Sequence, residues 1–541
     1  MKCHEGGSSG SEGPGRDVER IRGRLELGSR ILHPRGTMTA AKRAYVETYG
    51  CQMNISDGEL MEGILERSGF RIVAEPQEAD VVLVNTCAIR EHAEQRVLGR
   101  VSQLNALKEE RPHVRIGVTG CMAQRMGSDL LEKAPYVDLV MGPDGYRGLP
   151  EELARLEEGG NVKAPPHAES GPASGSEPDP VRDGVAGGRE SVQSTAPNST
   201  GRGGGKRGPQ LAVLDLDPRE NYQGLEQRRR SGVTAWVPVQ RGCDHRCTYC
   251  IVPYVRGPEK NRSPHEVLAE VQGIVRDGIT EVTLLGQTVN SYRHEDWSFA
   301  DLLRSVARVP GIHRVRYTSP HPNDVTEDLL QVMAEEPAVC EHLHLPLQAG
   351  NDRTLKRMVR RYTVERFLEK VELARSAVPD LALSTDVIVA FPGETEAEFR
   401  DTLEVMRTVR FDDAFTYRFS PRDGTPATRF PESDFVDEDV AKRRLQELID
   451  LTRGIQREIN EREVGRVDEI LVEKPARRPG QMLGRTRRFK AVAVPGDESL
   501  VGAYRRARLT ETTGATFAGV PLDEAEGGST TGDALALAES A

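Results

Sequence analysis

Three thiols in the run RGCDHRCTYCIVPY, residues 241–254, follow a C-x3-C-x2-C spacing: Cys243, Cys247 and Cys250. That spacing is short enough for all three to reach one metal cluster. Thiolates are the usual ligands of iron–sulfur clusters, and three of them on a four-iron cluster leave one iron open to bind something else. No fourth cysteine lies nearby. Structural zinc is the alternative, but it wants four tetrahedral ligands. His245 could be the fourth only by folding back between two coordinating neighbours.

A second set is spread through the first third of the chain. Cys51, Cys87 and Cys121 each follow a strand pattern: residues 43–49, ADVVLVNT at 79–86 and VRIGVTG at 114–120. In open parallel sheets the carboxyl ends of the strands form the ligand crevice. Three successive strands would therefore deliver three thiols to one place, a second cluster site with an open iron. A single buried cysteine is ordinarily a small hydrophobe, but core packing alone does not give three of them this shared placement. Cys340 has no companion and is read as core; Cys3 is read as an uninvolved thiol.

The elements that must position these residues give an α/β fold class in three parts. Residues 42–155 alternate strand and helix patterns and predict an open parallel α/β sheet. The nearly continuous apolar run at 79–86 suits a strand covered on both faces, and residues 56–69 read as a helix capped by Ser56 or Asp57 and stopped by Gly69. Residues 230–463 repeat a β/α rhythm, with strands expected at 236–240, 281–285, 314–318, 342–347, 381–391 and 414–420. About six such units make a partial β/α barrel, whose site gathers at the carboxyl ends of its strands. A long charged helix over 437–464 covers it. Residues 464–522 carry β-type runs between Gly and Pro turns, a small β-barrel. Residues 156–210 are Gly, Ser, Pro, Ala and charge, and are expected to be a disordered linker. The extension 1–41 and the tail 523–541 are expected to be disordered too, and Met38 is a candidate start.

Composition narrows the function classes. Of 541 residues 37% are hydrophobic and 5% aromatic, which suits a soluble protein. No run approaches the ~20 apolar residues of a membrane span, so no membrane partner is expected. Eight cysteines without a secretory apolar segment point to a reducing compartment and a cytoplasmic protein. The net charge of −11 gives no general case for nucleic acid. Residues 464–522 reverse it, with eleven basic against six acidic residues, a local +5. A basic face on a small barrel is the footprint expected for a phosphate backbone. Arg485, Arg487, Arg488 and Lys490 are the expected RNA contacts. GRGGGKR at 201–207 is read as solvated linker rather than a basic tether.

Tyr249 before the last cysteine, and the longer string CTYCIVPYVRG, resemble the radical S-adenosylmethionine (SAM) superfamily and within it the methylthiotransferases. TYGCQMN at 48–54, NTCAIR at 85–90 and GCMAQ at 120–124 resemble the amino-terminal domain of that family. Within it, GCQMN resembles the branch acting on N6-dimethylallyladenosine of tRNA. GRT at 484–486 resembles the TRAM domain, an RNA-binding module. The resemblance implies two 4Fe-4S clusters, one on each cysteine set, making the six cysteines both metal ligands and catalytic residues. It implies that SAM binds the open iron and is cleaved to a 5′-deoxyadenosyl radical. The superfamily element that contacts the SAM amino group resembles GQTVNSY at 286–292, and further family segments match LPLQAG at 345–350, with Ala349 where Ser is more usual, and FPGET at 391–395. Tyr249, Gln287, Asn290, Gln348 and Asp386 are therefore the expected cofactor contacts; a polar-capped turn is the plain alternative for Gln287 and Asn290. Asp386 inside an apolar strand needs a partner, either the site or an arginine. SPRDGTPA at 420–427 matches the family's closing segment, with Asp423 where Pro is common.

The activity implied is methylthiolation of carbon 2 of N6-dimethylallyladenosine at position 37 of tRNA, using two SAM. That carbon bears an unactivated hydrogen which no side-chain base removes. The implied partner is the anticodon stem-loop; a monomer is expected, and the reductant and sulfur donors are not specified. Rival readings are the same chemistry on threonylcarbamoyl-adenosine, methylthiolation of a ribosomal-protein aspartate, and a non-catalytic iron–sulfur RNA-binding protein.

Overall fold

The computed structural model describes residues 41–88, 91–158, 209–229 and 232–522. The expected extension up to residue 40, linker residues 159–208 and the tail 523–541 lie outside the described residues, and with them Cys3, Met38 and the basic segment 201–207.

Six strands form the amino-terminal sheet: β1 (Arg43–Tyr49), β2 (Arg71–Ile72), β3 (Val81–Thr86), β4 (Arg115–Gly120), β5 (Leu139–Met141) and β6 (Leu211–Val213). All pairs are parallel, in the order β2-β1-β3-β4-β5-β6. Every residue of β3 is buried, as its apolar run predicts. Leu60, Met61, Leu65, Leu149 and Leu153 fill one face of the sheet, and Val82, Val97, Val101, Ile116 and Val118 the other. The sheet does not end before the linker. Leu211–Val213 returns to pair with Leu139–Met141, and the chain then wraps back so that the Arg228 N–H donates to Glu59 O at 2.9 Å. A three-residue strand among polar neighbours carries too little pattern to be read from sequence. The first helix runs Gln52–Arg67 with Cys51 at its N-cap, four residues ahead of the expected start. Ser56 and Asp57 do not cap it because both are buried on its flank and bonded elsewhere: Ser56 Oγ accepts from Gln227 at 3.0 Å and Asp57 from Arg256 at 2.7 Å.

The central strands are β7 (Thr234–Pro238), β8 (Gln240–Arg241), β9 (Lys260–Asn261), β10 (Glu281–Leu285), β11 (Arg293–His294), β12 (Trp297–Ser298), β13 (Arg314–Tyr317), β14 (His342–His344), β15 (Ala382–Val389) and β16 (Asp413–Arg418). Parallel sheets β7-β10-β13 and β14-β15-β16 join through a bridge between Val315 and Val339, giving the expected six-stranded partial barrel. Its helices start where Ser or Thr offers a hydroxyl to the orphan amides of the first turn. Ser298 with Asp301 and Thr395 with Glu398 form reciprocal capping boxes; Thr326 and Thr363 cap two more. The helix Glu438–Glu463 follows β16.

β17 (Val467–Pro475), β18 (Gln481–Thr486), β19 (Ala491–Pro495), β20 (Tyr504–Thr512) and β21 (Thr516–Pro521) close into a barrel in the order β17-β18-β19-β21-β20. Ile470, Val472, Met482, Val492, Val494, Leu509 and Phe517 fill it. Here the residues expected to contact RNA have partners within the protein. The β18–β19 turn docks on the amino ends of the central strands. Arg487 forks onto Glu341 at 2.7 Å, Arg488 onto Glu463 at 2.7 Å and Asp468 at 3.0 Å, and Lys490 reaches Asp412 at 2.6 Å. Arg485 lies over the Phe489 ring at 4.3 Å and pairs with Glu473. Arg488 and Lys490 are 7% exposed. Arg487, Arg488 and Lys490 tie the small barrel to the large one, while Arg485 stays on its own barrel and keeps part of its side chain exposed. No helix among the described residues is long and apolar enough to cross a membrane.

Candidate metal centres

Cys51, Cys87 and Cys121 lie at the carboxyl ends of adjacent strands β1, β3 and β4, which register Tyr49 with Thr86 and Thr86 with Gly120. Glycines make the approach possible. Gly50, at φ 141°, could not carry a Cβ without meeting the Cys87 Cβ at 2.6 Å, and at Gly120, φ 93°, a Cβ would strike Asn85 at 2.4 Å and the Thr86 carbonyl at 2.5 Å. Cys51 and Cys121 each open a helix. The Cys51 thiol is held below its usual range by a hydrogen bond from Cys87, against the cost of burial, with help from the Arg256 charge and the amides of Met53 and Asn54. Burial pushes the Cys121 thiol up, offset in part by Arg256.

The second set sits in the loop after β8. Cys243 and Cys247 are buried. Burial raises Cys243, and burial together with Cys247 raises Cys250 to about 12. Arg360 donates from Nη1 to Cys247 Sγ at 3.5 Å, and Thr288 from its hydroxyl to Cys243 Sγ at 3.9 Å. His245 takes no place with the thiols. Its ring stacks on His321 with centroids 4.0 Å apart, and Nε2 lies 3.8 Å from Asp324.

Among the described residues the ligand group whose donor atoms all lie within 4.8 Å of one another is His245, His321 and Asp324. Three thiols in each set, with the Arg256 guanidinium at one and that of Arg360 at the other, have the ligand chemistry of an iron–sulfur cluster.

The cofactor contacts expected from sequence divide. Tyr249 is half-buried, edge-on to Phe391, and Gln287 keeps a buried Oε1 without a protein partner; both remain available to a ligand. Gln348 follows β14 in a left-handed conformation, φ 67°. Ser319 after β13 and Ala390 after β15 share it, φ 60° and 58°. Non-glycine residues held there cost about 1–3 kcal/mol and collect at functional sites, and these three lie at the carboxyl ends of the strands. Asn290 is engaged within the protein. Its amide donates to the His321 carbonyl at 2.9 Å and accepts from the His321 N–H at 2.7 Å, so it clips two loops together and keeps one N–H and one lone pair beyond those bonds. Within the protein the partner of Asp386 is His344, 3.3 Å away, rather than an arginine.

Sequence reasoning missed Arg256, Arg360, His344 and the ion pairs between domains. Arg241 and Lys260, paired across β8–β9, both reach Asp144 of the amino-terminal domain, at 2.5 and 2.7 Å. Arg241 also lies over the Tyr222 ring at 3.8 Å. Arg256 reaches Asp57 at 2.7 Å and Cys121 Sγ at 3.2 Å. Cys121 packs with Ile251 and Val255, so the tail of the C-x3-C-x2-C loop touches the other cysteine set. Arg256 stood inside CTYCIVPYVRG, and that was the available signal.

Residues 43–142 match the model of the Uncharacterized protein family UPF0004, residues 237–406 that of the Radical SAM superfamily, and residues 461–520 that of the TRAM domain. A tRNA-2-methylthio-N(6)-dimethylallyladenosine synthase of Carboxydothermus hydrogenoformans is 40% identical over 480 residues, 87% of this chain and 97% of that one. A protein of the same name from Cereibacter sphaeroides is 38% identical over 486 residues, 90% of this chain and all of the relative. Among solved structures, the radical SAM methyltransferase TsrM of Kitasatospora setae shares the fold at a TM-score of 0.52 and 13% identity, over 77% of this chain and 89% of that one. Aligned almost end to end with these synthases, and carrying both cysteine sets, the chain belongs to the tRNA-2-methylthio-N(6)-dimethylallyladenosine synthase family of radical SAM enzymes.

Proposed function

We propose that the chain methylthiolates carbon 2 of N6-dimethylallyladenosine at position 37 of tRNA, with a 4Fe-4S cluster on Cys243, Cys247 and Cys250 and a second on Cys51, Cys87 and Cys121. The observation that carries this is the contact of the two cysteine sets through Ile251, Val255 and Arg256, since radical generation and sulfur delivery must meet at one carbon. When bound, the first cluster and SAM supply a deoxyadenosyl radical and the second cluster supplies the sulfur.

The chain's own residues bind, orient and shield. Gln287 offers a buried carbonyl oxygen to an ammonium donor. Arg360 charges the space beside Cys247, and Tyr249 with Phe391 walls it off from water. Asn290 holds the His321 loop against the site. The RNA backbone meets bases the docking turn leaves free: Lys474, Arg477 and Arg478 at the β17–β18 turn, and Arg505, Arg506 and Arg508 on β20, all exposed.

The test is anaerobic reconstitution followed by reaction with tRNA carrying N6-dimethylallyladenosine, N6-threonylcarbamoyladenosine or plain adenosine at position 37. Nucleoside mass spectrometry should find a methylthio group replacing hydrogen on the first alone. Product on the threonylcarbamoyl substrate, or none on any substrate while SAM is cleaved, would overturn the assignment.

A further inference from the structure

We propose that Arg256 is a positioning residue that the central barrel lends to the amino-terminal cysteine set, there to make the cluster on Cys51, Cys87 and Cys121 easier to reduce. The proposal rests on the reading that these thiols hold a cluster. Arg256 follows β8 and the C-x3-C-x2-C loop in the chain, yet its side chain is 2% exposed and ends in the other domain. Its Nε donates to Cys121 Sγ at 3.2 Å, and Nη2 pairs with Asp57 at 2.7 Å. Nη1 is buried and finds no partner within the protein. Three groups thus fix one guanidinium in place: the thiol, the carboxylate on the Gln52–Arg67 helix, and the packing of Val255 beside it.

A lone ion pair with Asp57 would not explain this geometry. A buried arginine needs hydrogen bonds for its nitrogens, because an unmet donor costs about 1–3 kcal/mol. Here one nitrogen is spent on the Cys121 sulfur and one is left over, on a guanidinium whose charge also acts on Cys51. An anionic group held by those thiols is what the remaining donor lacks. Hydrogen bonds to ligand sulfurs and nearby net charge are among the levers that set cluster potentials. A fixed cation beside the thiolates favours the form carrying the extra electron, so it raises the potential. Because the cation comes from the loop that carries Cys243, Cys247 and Cys250, the tuning exists only while the two domains are docked.

The experiment uses the full chain with Cys243, Cys247 and Cys250 all replaced by alanine, reconstituted with iron and sulfide, so that only the amino-terminal site is loaded. Into it go Arg256→Gln, which removes the charge, and Arg256→Lys, which keeps the charge but loses the fork. Readouts are iron and sulfide content, the potential from an electron-paramagnetic-resonance redox titration, and the resonance line shape. The expected result is iron retained at about four per chain, with the potential lowered in Arg256→Gln by a tenfold or greater change in the redox equilibrium, 59 mV for one electron, and by less in Arg256→Lys. An unchanged potential and line shape in an iron-loaded Arg256→Gln overturns the proposal. If Arg256→Gln loses its iron, Arg256→Lys decides: iron kept with a lowered potential supports the proposal, and an unchanged potential or lost iron overturns it. If the parent with intact Arg256 takes up no iron, the cluster reading itself fails instead.

Discussion

One guanidinium stands beside each set of thiols, the buried Arg256 at Cys121 and the half-buried Arg360 at Cys247, while the amides and carboxylates nearby bond within the protein. Asn290 shows the difference. Both of its amide atoms bond the backbone of His321, so Asn290→Asp removes a buried donor and sets a carboxylate against a carbonyl. Destabilisation of about 2–3 kcal/mol is expected, read as a fall in calorimetric Tm together with weaker SAM binding. Weaker SAM binding at an unchanged Tm would make Asn290 a direct contact after all. Glu394 gives a pH dependence. Burial raises its carboxyl to about 7, although Ala390 N and Arg444 both donate to it. Unfolded, it titrates near 4.5, so folding takes up a proton in between, and stability falls as pH rises from about 4.5 to about 7. Glu394→Gln should flatten the denaturation midpoint across that window; an unaltered slope would place the titration elsewhere. At this scale the cysteines were legible because position after a strand and spacing are written in order along the chain. The roles of Asn290 and Asp386 were not, because a polar residue's partner, His321 or His344, is chosen by the fold and not by its neighbours in sequence.

The turn between β18 and β19 shows what that means for a whole element. Its run of bases, Arg485, Arg487, Arg488 and Lys490, reads as an RNA face, but Glu341 and Asp412 await it at the amino ends of the central strands, Glu463 on the last helix and Asp468 on β17 of its own barrel. Arg314 and Arg316 then donate to the turn's own carbonyls, Arg314 to Arg485 O at 3.0 Å and Arg316 to Arg487 O at 2.7 Å, and Phe489 stacks on His342. The strands themselves were legible: β15 and the helix Glu438–Glu463 fall where period and caps put them. The charge of a turn does not tell which surface it faces. Arg477→Glu with Arg478→Glu should therefore weaken tRNA binding and reduce the slope of log affinity against log salt by about 1 per residue, leaving Tm unchanged. Arg488→Ala should do the reverse: it removes the cation that Glu463 and Asp468 share, leaving them Lys490 at 4.0 Å and Arg466 at 3.2 Å, costs about 1.5–3 kcal/mol, and leaves the salt slope as it was. If Arg488→Ala lowers the salt slope at constant Tm, the docking turn is an RNA contact.

For the whole molecule, the question is how a thiol set from one domain comes to touch the loop of another. The long low-complexity connection leaves this open in sequence, and the structure closes it with two acids. Asp57 takes Arg256, and Asp144 takes both Arg241 and Lys260. All five side chains are nearly dry. Two cations on one carboxylate survive burial only while that carboxylate is charged: Asp144 offers one oxygen to each, and the Tyr222 ring covers Arg241 from the side. Asp144→Asn removes the charge while keeping the shape, leaving Arg241 and Lys260 to repel one another in a dry site. Removing one partner of a buried pair costs about 3–5 kcal/mol, and here the loss falls at the seam between domains rather than within either core. The apolar fillings on both faces of the amino-terminal sheet and in the central barrel are untouched. Calorimetry should therefore split one unfolding transition into two, with the cores melting apart. Both cysteine sets should still take up iron, since none of their ligands has changed, while methylthio transfer falls further than SAM cleavage does, because only transfer needs the two sites in register. A single transition with transfer and cleavage falling together would mean that the domains are held by something other than Asp144.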